Sequence, residues 1–264
     1  MILSFWLDQP VWSMFILLAL GFLAICGVLI GLTVLPRTRP VIGRVASGIV
    51  PTYISILPVL LSLLTGFVAS DAWERQRQAG RVVQAERTNA FAIYDLSLAA
   101  APDMSNLRTW LFAYLDAVVK EEWPSMAQTG AASPVAGEAI GRLLQAAAAP
   151  RIAAEAGEAT HAALLESVMQ LRSARSDRLA LSAARSDESK WLTLLVLAVL
   201  TLTALALVHW ERPLSQAATL ILFSAAIVTT LGVIALHERP FDGPLALSSD
   251  PLRLAHLAMV SVGP

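Results

Sequence analysis

Four long stretches of this sequence contain no charged residue, and this pattern restricts the chain to membrane architectures. The uncharged stretches cover residues 11–35, 45–70, 191–210 and 214–236. About 20 consecutive apolar residues are needed to cross the hydrocarbon core of a bilayer, and each stretch reaches that length. The sequence therefore predicts four transmembrane spans at about these positions.

The charged residues are concentrated in the middle of the chain. Overall, 56% of the residues are hydrophobic and 15% are charged, which is typical of a lipid-exposed protein. Residues 71–190 hold 13 of the 19 Lys and Arg and 15 of the 20 Asp and Glu, so we expect this segment to lie in water. We predict an all-α membrane protein in which two transmembrane hairpins, residues 1–70 and 191–236, flank a helical soluble domain, with a C-terminal tail at 237–264.

The polar segment shows helical periodicity. One apolar stripe recurs at helical spacing and consists of Leu107, Trp110, Leu111, Tyr114, Leu115 and Val118. We expect Pro124 to end this helix, Ser133 to cap the next one, and a third to run from Arg151 to about Ala184. No stretch alternates with period two, so little or no sheet is predicted. Because residues 66–98 contain no proline, the helix of span two is expected to continue beyond the membrane.

Arginine placement predicts the orientation of the chain in the membrane. The two short links between spans carry four arginines, whereas more Lys and Arg follow span two, precede span three and follow span four. By the positive-inside rule, the central domain and both termini are predicted to be cytoplasmic. Residues 1–10 contain no Lys or Arg and no cleavage site follows them, so no cleavable signal peptide is predicted.

No residue pattern in the chain predicts catalysis. The four histidines are scattered and Cys26 is the only cysteine, so we expect no metal site, no cofactor and no enzyme activity. The net charge of −1 gives no reason to expect nucleic-acid binding. Glu121 and Glu122 are adjacent, and we interpret them as a solvated helix end rather than a catalytic pair. Glu86 lies in an apolar stripe; it either pairs with an arginine between helices or, as we favour, is a rim-exposed carboxylate bonded within its own helix.

Span two is the most informative of the four spans. Pro51 and Pro58 interrupt its helix, and several Ser and Thr hydroxyls could bond the freed carbonyls or line a polar path. The two interpretations are a kinked packing helix and a pore-lining helix. Spans one and two contain no ionisable residue, which argues against a proton relay or an ion-coupled transporter.

Three short motifs make the sequence resemble the bacterial bestrophin-like membrane proteins, the family called Domain of Unknown Function 4239. They are Leu64-Thr65-Gly66-Phe67-Val68 followed by Trp73, then Glu121-Glu122-Trp123-Pro124, and Arg239-Pro240-Phe241-Asp242-Gly243. The residues assigned to the family motif are Trp73, Glu86, Glu122, Trp123, Pro124, Pro240, Phe241 and Gly243. The order of two spans, a helical domain, two spans and a tail also agrees with this family.

The resemblance implies a channel. Bestrophins, to which the chain is remotely similar, are pentameric chloride channels whose second helix lines a hydrophobic neck. Matching the Gly-Phe pair places Val59, Leu63 and Phe67 at the constriction. No acidic run follows Phe241, so a bestrophin-type calcium site is not expected.

Two functions therefore remain open. The first, which we favour, is a homo-oligomeric channel for chloride or another small anion, with span two lining the pore in the lipid bilayer. The alternative is a non-conducting membrane sensor or scaffold whose helical domain detects a ligand or membrane stress.

Overall fold

The computed structural model describes residue 6 and residues 9–100, 103–184 and 187–262, and this part of the chain contains helices and turns but no strand. The helices are α1 (Val11–Val34), α2 (Arg39–Ala46), α3 (Pro51–Ile54), α4 (Ile56–Ala99), α5 (Ser105–Ala117), α6 (Trp123–Thr129), α7 (Pro134–Ala147), α8 (Pro150–Ala156), α9 (Glu158–Ala183), α10 (Glu188–Val208), α11 (Pro213–Leu236) and α12 (Asp250–Val262). A π-helical turn, Val118–Glu122, joins α5 to α6.

Four helical segments are long and apolar enough to cross a membrane, as the uncharged stretches predict. They are Val11–Val34, Pro51–Ala99, Glu188–Val208 and Pro213–Leu236. The α4 helix continues without interruption to Ala99, which confirms the expected extension of the second span.

The second span begins later than its uncharged stretch. Helix α2 ends at Ala46, the short helix α3 begins at Pro51, and a turn at Ser55 precedes α4. Pro58 has no N–H to donate to the carbonyl of Ile54, four residues earlier, so the helix breaks just before it. This break is the interruption that the two prolines predict.

The described residues form two compact units. The first contains the residues up to Glu74 and those from Asp187 to Arg239. Here α1 packs along α11, and α10 packs against both. The first and fourth spans approach closely at Gly232, where an added Cβ would lie 2.2 Å from Phe15 Cε1. This glycine lets the first and fourth spans approach each other closely.

Hydrogen bonds also join the spans of the first unit. The Thr33 hydroxyl donates to Gln216 Oε1 at 2.8 Å, and Gln216 Nε2 donates to the carbonyl of Ala206 at 2.8 Å. Gln216 is fully buried. One side chain of the fourth span therefore bonds both the first span and the third.

The second unit runs from Arg75 to Ala184 and resumes at Pro240. Its core includes the predicted stripe of α5, and Leu164, Val168 and Leu171 of α9. Helix α12 packs against α5, and the Tyr94 hydroxyl donates to the carbonyl of Met259 at 2.8 Å. The segment treated above as a tail thus contributes to this core.

Two expectations about helix ends have opposite outcomes. Ser133 caps α7 as predicted, because its Oγ accepts from the N–H groups of Val135 and Ala136. The expectation that Pro124 ends the preceding helix is wrong. The helix widens into the π turn and continues to Thr129, because the turn accommodates the proline, whose ring would clash with the carbonyl four residues earlier in a regular α-helix.

Candidate functional site

The predicted constriction residues share one exposed face of α4. Val59, Leu63 and Phe67 are spaced four residues apart, so their side chains lie one above the other. They are 61%, 56% and 65% exposed. The chain therefore buries none of the three against its own residues.

The opposite face of α4 packs into the first unit. Leu61, Val68 and Ala72 are buried there, at no more than 4% exposure. The two faces differ greatly in side-chain exposure. This difference shows which side of the helix points away from the rest of the unit.

The hydroxyls of the second span bond within their own helix. Ser55 Oγ donates to the carbonyl of Thr52 at 2.7 Å, and Ser62 Oγ donates to that of Val59 at 2.9 Å. Thr65 likewise donates to Leu61 at 2.7 Å. Ser55 and Ser62 are exposed, so their oxygen lone pairs stay open on the exposed side of the helix.

Glu86 lies in the core of the second unit, which overturns the preferred prediction of a rim-exposed carboxylate. Its side chain is fully buried and pairs with Arg178: Nε donates to Oε2 at 2.7 Å and Nη2 to Oε1 at 3.1 Å. The hydroxyl of Tyr114 donates to the same carboxylate. The other interpretation, a pair between helices, is therefore the observed one.

Glu122 is also fully buried, so the predicted solvated helix end is wrong for this residue. Its carboxylate accepts from Arg178 Nη2 at 2.9 Å, from Arg175 Nε at 3.0 Å and from the N–H of Ser133 at 3.0 Å. Glu121 remains exposed. The π turn changes the helical register here and directs Glu122 and Trp123 into the core together.

Aromatic side chains and a thioether complete the surroundings of Arg178. Its guanidinium lies over the ring of Trp123, 5.3 Å from the centroid. Trp123 in turn meets Phe241 edge-on at 5.8 Å, and Arg178 Nη1 lies 3.3 Å from Met126 Sδ. These contacts bring two family motifs together around one buried cation.

The opposite charges of neighbouring carboxylates and guanidiniums determine which groups of this cluster are protonated. Burial raises the pKa of Glu122, but the hydrogen bond from Arg175 and the charge of Arg178 outweigh it, so the pKa lies below its ordinary value. Burial also lowers the pKa of Arg178, yet Glu86 and Glu122 raise it overall. Burial and the charge of Glu86 raise the pKa of Tyr114 well above its usual range. Tyr114 therefore stays protonated and donates at neutral pH.

The cluster is a structural ion network, which we define as Glu86, Tyr114, Glu122, Arg175 and Arg178. Each carboxylate oxygen in it accepts at least one hydrogen bond, and both carboxylates are fully buried. Among the described residues there is no group of three or more His, Cys, Asp or Glu that could hold a metal ion. The network joins α4, α5, the π turn and α9.

The remaining motif residues lie apart from this network. Trp73 meets His237 edge-on at 6.2 Å within the first unit. The carbonyls of Pro240 and Gly243 accept from Leu247 at 2.8 Å and Ala246 at 3.0 Å, which shapes the turn before α12. Pro124 is exposed near the start of α6.

Sequence reasoning missed three members of the network. By sequence, Tyr114 is only one member of an apolar stripe, and Arg175 and Arg178 are only two of the positive charges that precede span three. A signal was present, because the two arginines continue the spacing of Val168 and Leu171 along α9. A positively charged residue that continues the spacing of an apolar stripe indicates that it is buried and pairs with a buried acidic residue.

Comparison with known proteins agrees with this architecture. Residues 20–252 match the family model of the Bestrophin-like domain. A solved structure of a bacterial bestrophin homologue from Klebsiella pneumoniae, a single-site variant, is similar with a TM-score of 0.70 at 14% identity, covering 93% of this chain and 97% of that one. A second variant of that homologue gives 0.68 at 15% identity, covering 96% and 98%. A search of curated proteins gave no match. At this level of identity the likeness establishes the fold.

Proposed function

Because the chain belongs to the Bestrophin-like family, we propose that this multi-pass membrane protein is an oligomeric channel for chloride or another small anion. Helix α4 lines the pore, and Val59, Leu63 and Phe67 form its constriction. A narrow apolar ring resists wetting, since it offers water and ions no partners to replace their hydration. The protein has no catalytic role in this proposal.

One observation carries the proposal: the second span has one packed face and one unpacked face. Val59, Leu63 and Phe67 are more than half exposed, whereas Leu61 and Val68 on the other side are buried. A single helix cannot enclose a path, so a pore built from this face needs several copies around an axis. Ser55 and Ser62 add hydroxyl oxygens to the exposed side of this span.

The proposed topology follows the charge distribution. Two transmembrane hairpins flank a helical water-exposed domain, and this domain and both termini face the cytoplasm of a bacterial inner membrane. The positive-inside bias of the arginines around the central segment supports this orientation.

Shrinking the constriction should increase ion flow. We expect Leu63→Ala combined with Phe67→Ala to raise flux in proteoliposomes above wild type, because smaller side chains lower the dewetting barrier. Flux is measured with chloride and with potassium, and the mass of the protein in mild detergent establishes that the oligomer is intact. A larger gain for chloride than for potassium would support the anion channel.

A lipid-facing double variant serves as the matched control. Ile221 and Leu222 of α11 are similarly exposed, at 53% and 74%, and Ile221→Ala with Leu222→Ala should leave flux unchanged. Near-zero flux from a well-folded, oligomeric Leu63/Phe67 variant would contradict the pore and favour the sensor or scaffold. A monomer at all protein concentrations would also contradict it.

A further inference from the structure

An open pocket lies in the first unit, away from the proposed constriction. Its volume is about 630 Å³. Its lining residues come from the link between spans one and two and from the link between spans three and four: Pro36, Arg39, Pro40, Gly43, Arg44, Ser47 and Trp210. Each link joins two consecutive spans, so both links lie on the side of the membrane opposite the central segment. The pocket therefore lies at that membrane surface.

Helix α2 has one side that lines the pocket and another side that is apolar and exposed. Successive residues of an α-helix are about 100° apart, which places the five α2-side lining residues within one arc. Val41 and Val45 lie on another side and are 55% and 58% exposed, while Ala46 is buried against the unit. A short helix with arginines on one side and exposed apolar residues on another has the character of an interfacial helix.

The pocket is cationic and has little opposing charge. Residues 36–47 contain Arg37, Arg39 and Arg44 and no acidic residue, and the second link adds Arg212 against Glu211. In the described part of the chain neither Arg39 nor Arg44 pairs with a carboxylate; Arg44 Nε donates only to the carbonyl of Pro40, at 3.4 Å. Two guanidiniums thus remain available for an anion.

Trp210 forms the wall of the pocket. Its indole lies so close to α2 that an added Cβ on Gly43 would be 2.8 Å from Cη2. Indole rings favour the headgroup layer of a bilayer, and Pro36 and Pro40 provide further apolar lining. The site therefore combines cationic donors with an apolar wall.

We propose that this pocket binds the headgroup of an anionic phospholipid such as phosphatidylglycerol. Arg39 and Arg44 contact the phosphate, and Trp210 packs beside the glycerol backbone. The exposed Val41 and Val45 lie in the adjacent acyl region. This site does not depend on conduction, so its failure would leave the proposed channel untouched.

Native mass spectrometry of the full-length, delipidated protein tests the site. The protein is titrated in detergent with phosphatidylglycerol or with phosphatidylcholine, whose headgroup has no net charge. We expect the dissociation constant for phosphatidylglycerol to be about tenfold lower, because cations near a membrane surface attract anionic lipids. Arg39→Gln with Arg44→Gln should abolish that preference.

A matched double variant separates the pocket from general surface charge. Arg37→Gln with Arg212→Gln also removes two positive charges, one from each link, but leaves every lining residue in place, so the preference should persist. Gly43→Ala should weaken phosphatidylglycerol binding without changing any charge, since the new methyl group displaces the Trp210 indole.

Three results would overturn the proposal. One is an unchanged lipid preference in the Arg39/Arg44 variant, and another is an equal loss in the Arg37/Arg212 variant. The third would come from adding inorganic phosphate: displacement of the lipid at equal concentration would identify a site for free anions instead. All four arginines are exposed, so the substitutions should leave the fold intact, which a thermal melt of each variant checks.

Discussion

The two units of the molecule bury polar side chains in different ways. Within the spans of the first unit, the buried polar residues that the structure describes are uncharged: Thr33, Thr65, Thr201, Gln216 and Ser224. The second unit buries Glu86, Glu122 and Arg178 completely. Among the described residues, the spans of the first unit thus bury no charged side chain, whereas the core of the second unit contains three.

The difference follows from the partners that each unit provides to offset the free-energy cost of removing polar groups from water. In a membrane-spanning bundle, hydroxyls and amides bond nearby carbonyls, and such bonds add modest stability between helices. In the ion network, two carboxylates face two guanidiniums at hydrogen-bonding distance, so the formal charges cancel. A buried charge is tolerated only when its partners are complete. The second unit should therefore be far more sensitive to the loss of one side chain.

Removing the central cation should have the largest effect on stability. We expect Arg178→Met to cost about 3–5 kcal/mol, because it leaves Glu86 with no cation and Glu122 with only one. The free energy of unfolding is measured in detergent. The control is Arg172→Met on the exposed side of the same helix, which should change stability by less than about 0.5 kcal/mol. Similar losses for both variants would show that the burial of Arg178 does not matter. A loss for Arg178→Met no larger than those of the span substitutions below would remove the contrast between the units.

Overpacking the first unit should have an intermediate effect. Gly232→Ala places a methyl group 2.2 Å from Phe15 Cε1, and we expect a loss of about 1–3 kcal/mol. Adding Phe15→Leu should recover part of it. Gly21→Ala is the control, because an added Cβ there has no atom within 4 Å. If Gly232→Ala melts at the wild-type temperature, the first and fourth spans do not depend on this close contact.

Deleting one hydrogen bond between spans should have the smallest effect. Thr33→Val keeps the shape of the side chain but removes the donor to Gln216, which still bonds Ala206. We expect a loss of about 0.6 kcal/mol, the average for such bonds in membranes. The control is Thr219→Val, whose exposed hydroxyl bonds only its own helix and whose loss should go undetected. A cost for Thr33→Val as large as that of Arg178→Met would show that the two cores respond alike.

Much of the fold could be predicted from the sequence because a membrane span depends on one local property, a long stretch without charged residues. Uncharged stretches marked the four spans, and Ser133 with Pro134 marked a helix start, since both signals act over a few neighbouring residues. The break at Ser55 was also foreseeable from Pro58. Pro124 was harder, because a proline can end a helix or widen it, and the surrounding packing decides between these outcomes.

The buried ion network could not be predicted because it depends on residues far apart in the chain. Glu86 and Arg178 are 92 positions apart, and Glu122 and Arg175 are 53 apart. A glutamate in an apolar stripe is ordinarily expected at the rim, where water stabilises it. Only tertiary contact identifies the arginine that makes burial possible. The roles of Val59, Leu63 and Phe67 remain predictions, since they concern neighbours outside a single chain.

The placement of α12 has a consequence for how the protein is made. Phe241, Leu252, Ala255 and Met259 lie in the same core as side chains of Arg75–Ala184. During synthesis the ribosome must therefore produce the last two spans before this core receives its final side chains. Until then, the newly made helical segment exposes apolar surface, the condition under which chaperones bind nascent chains. A stop codon before residue 240 would therefore damage the region of residues 75–184, all of which is translated before the last two spans.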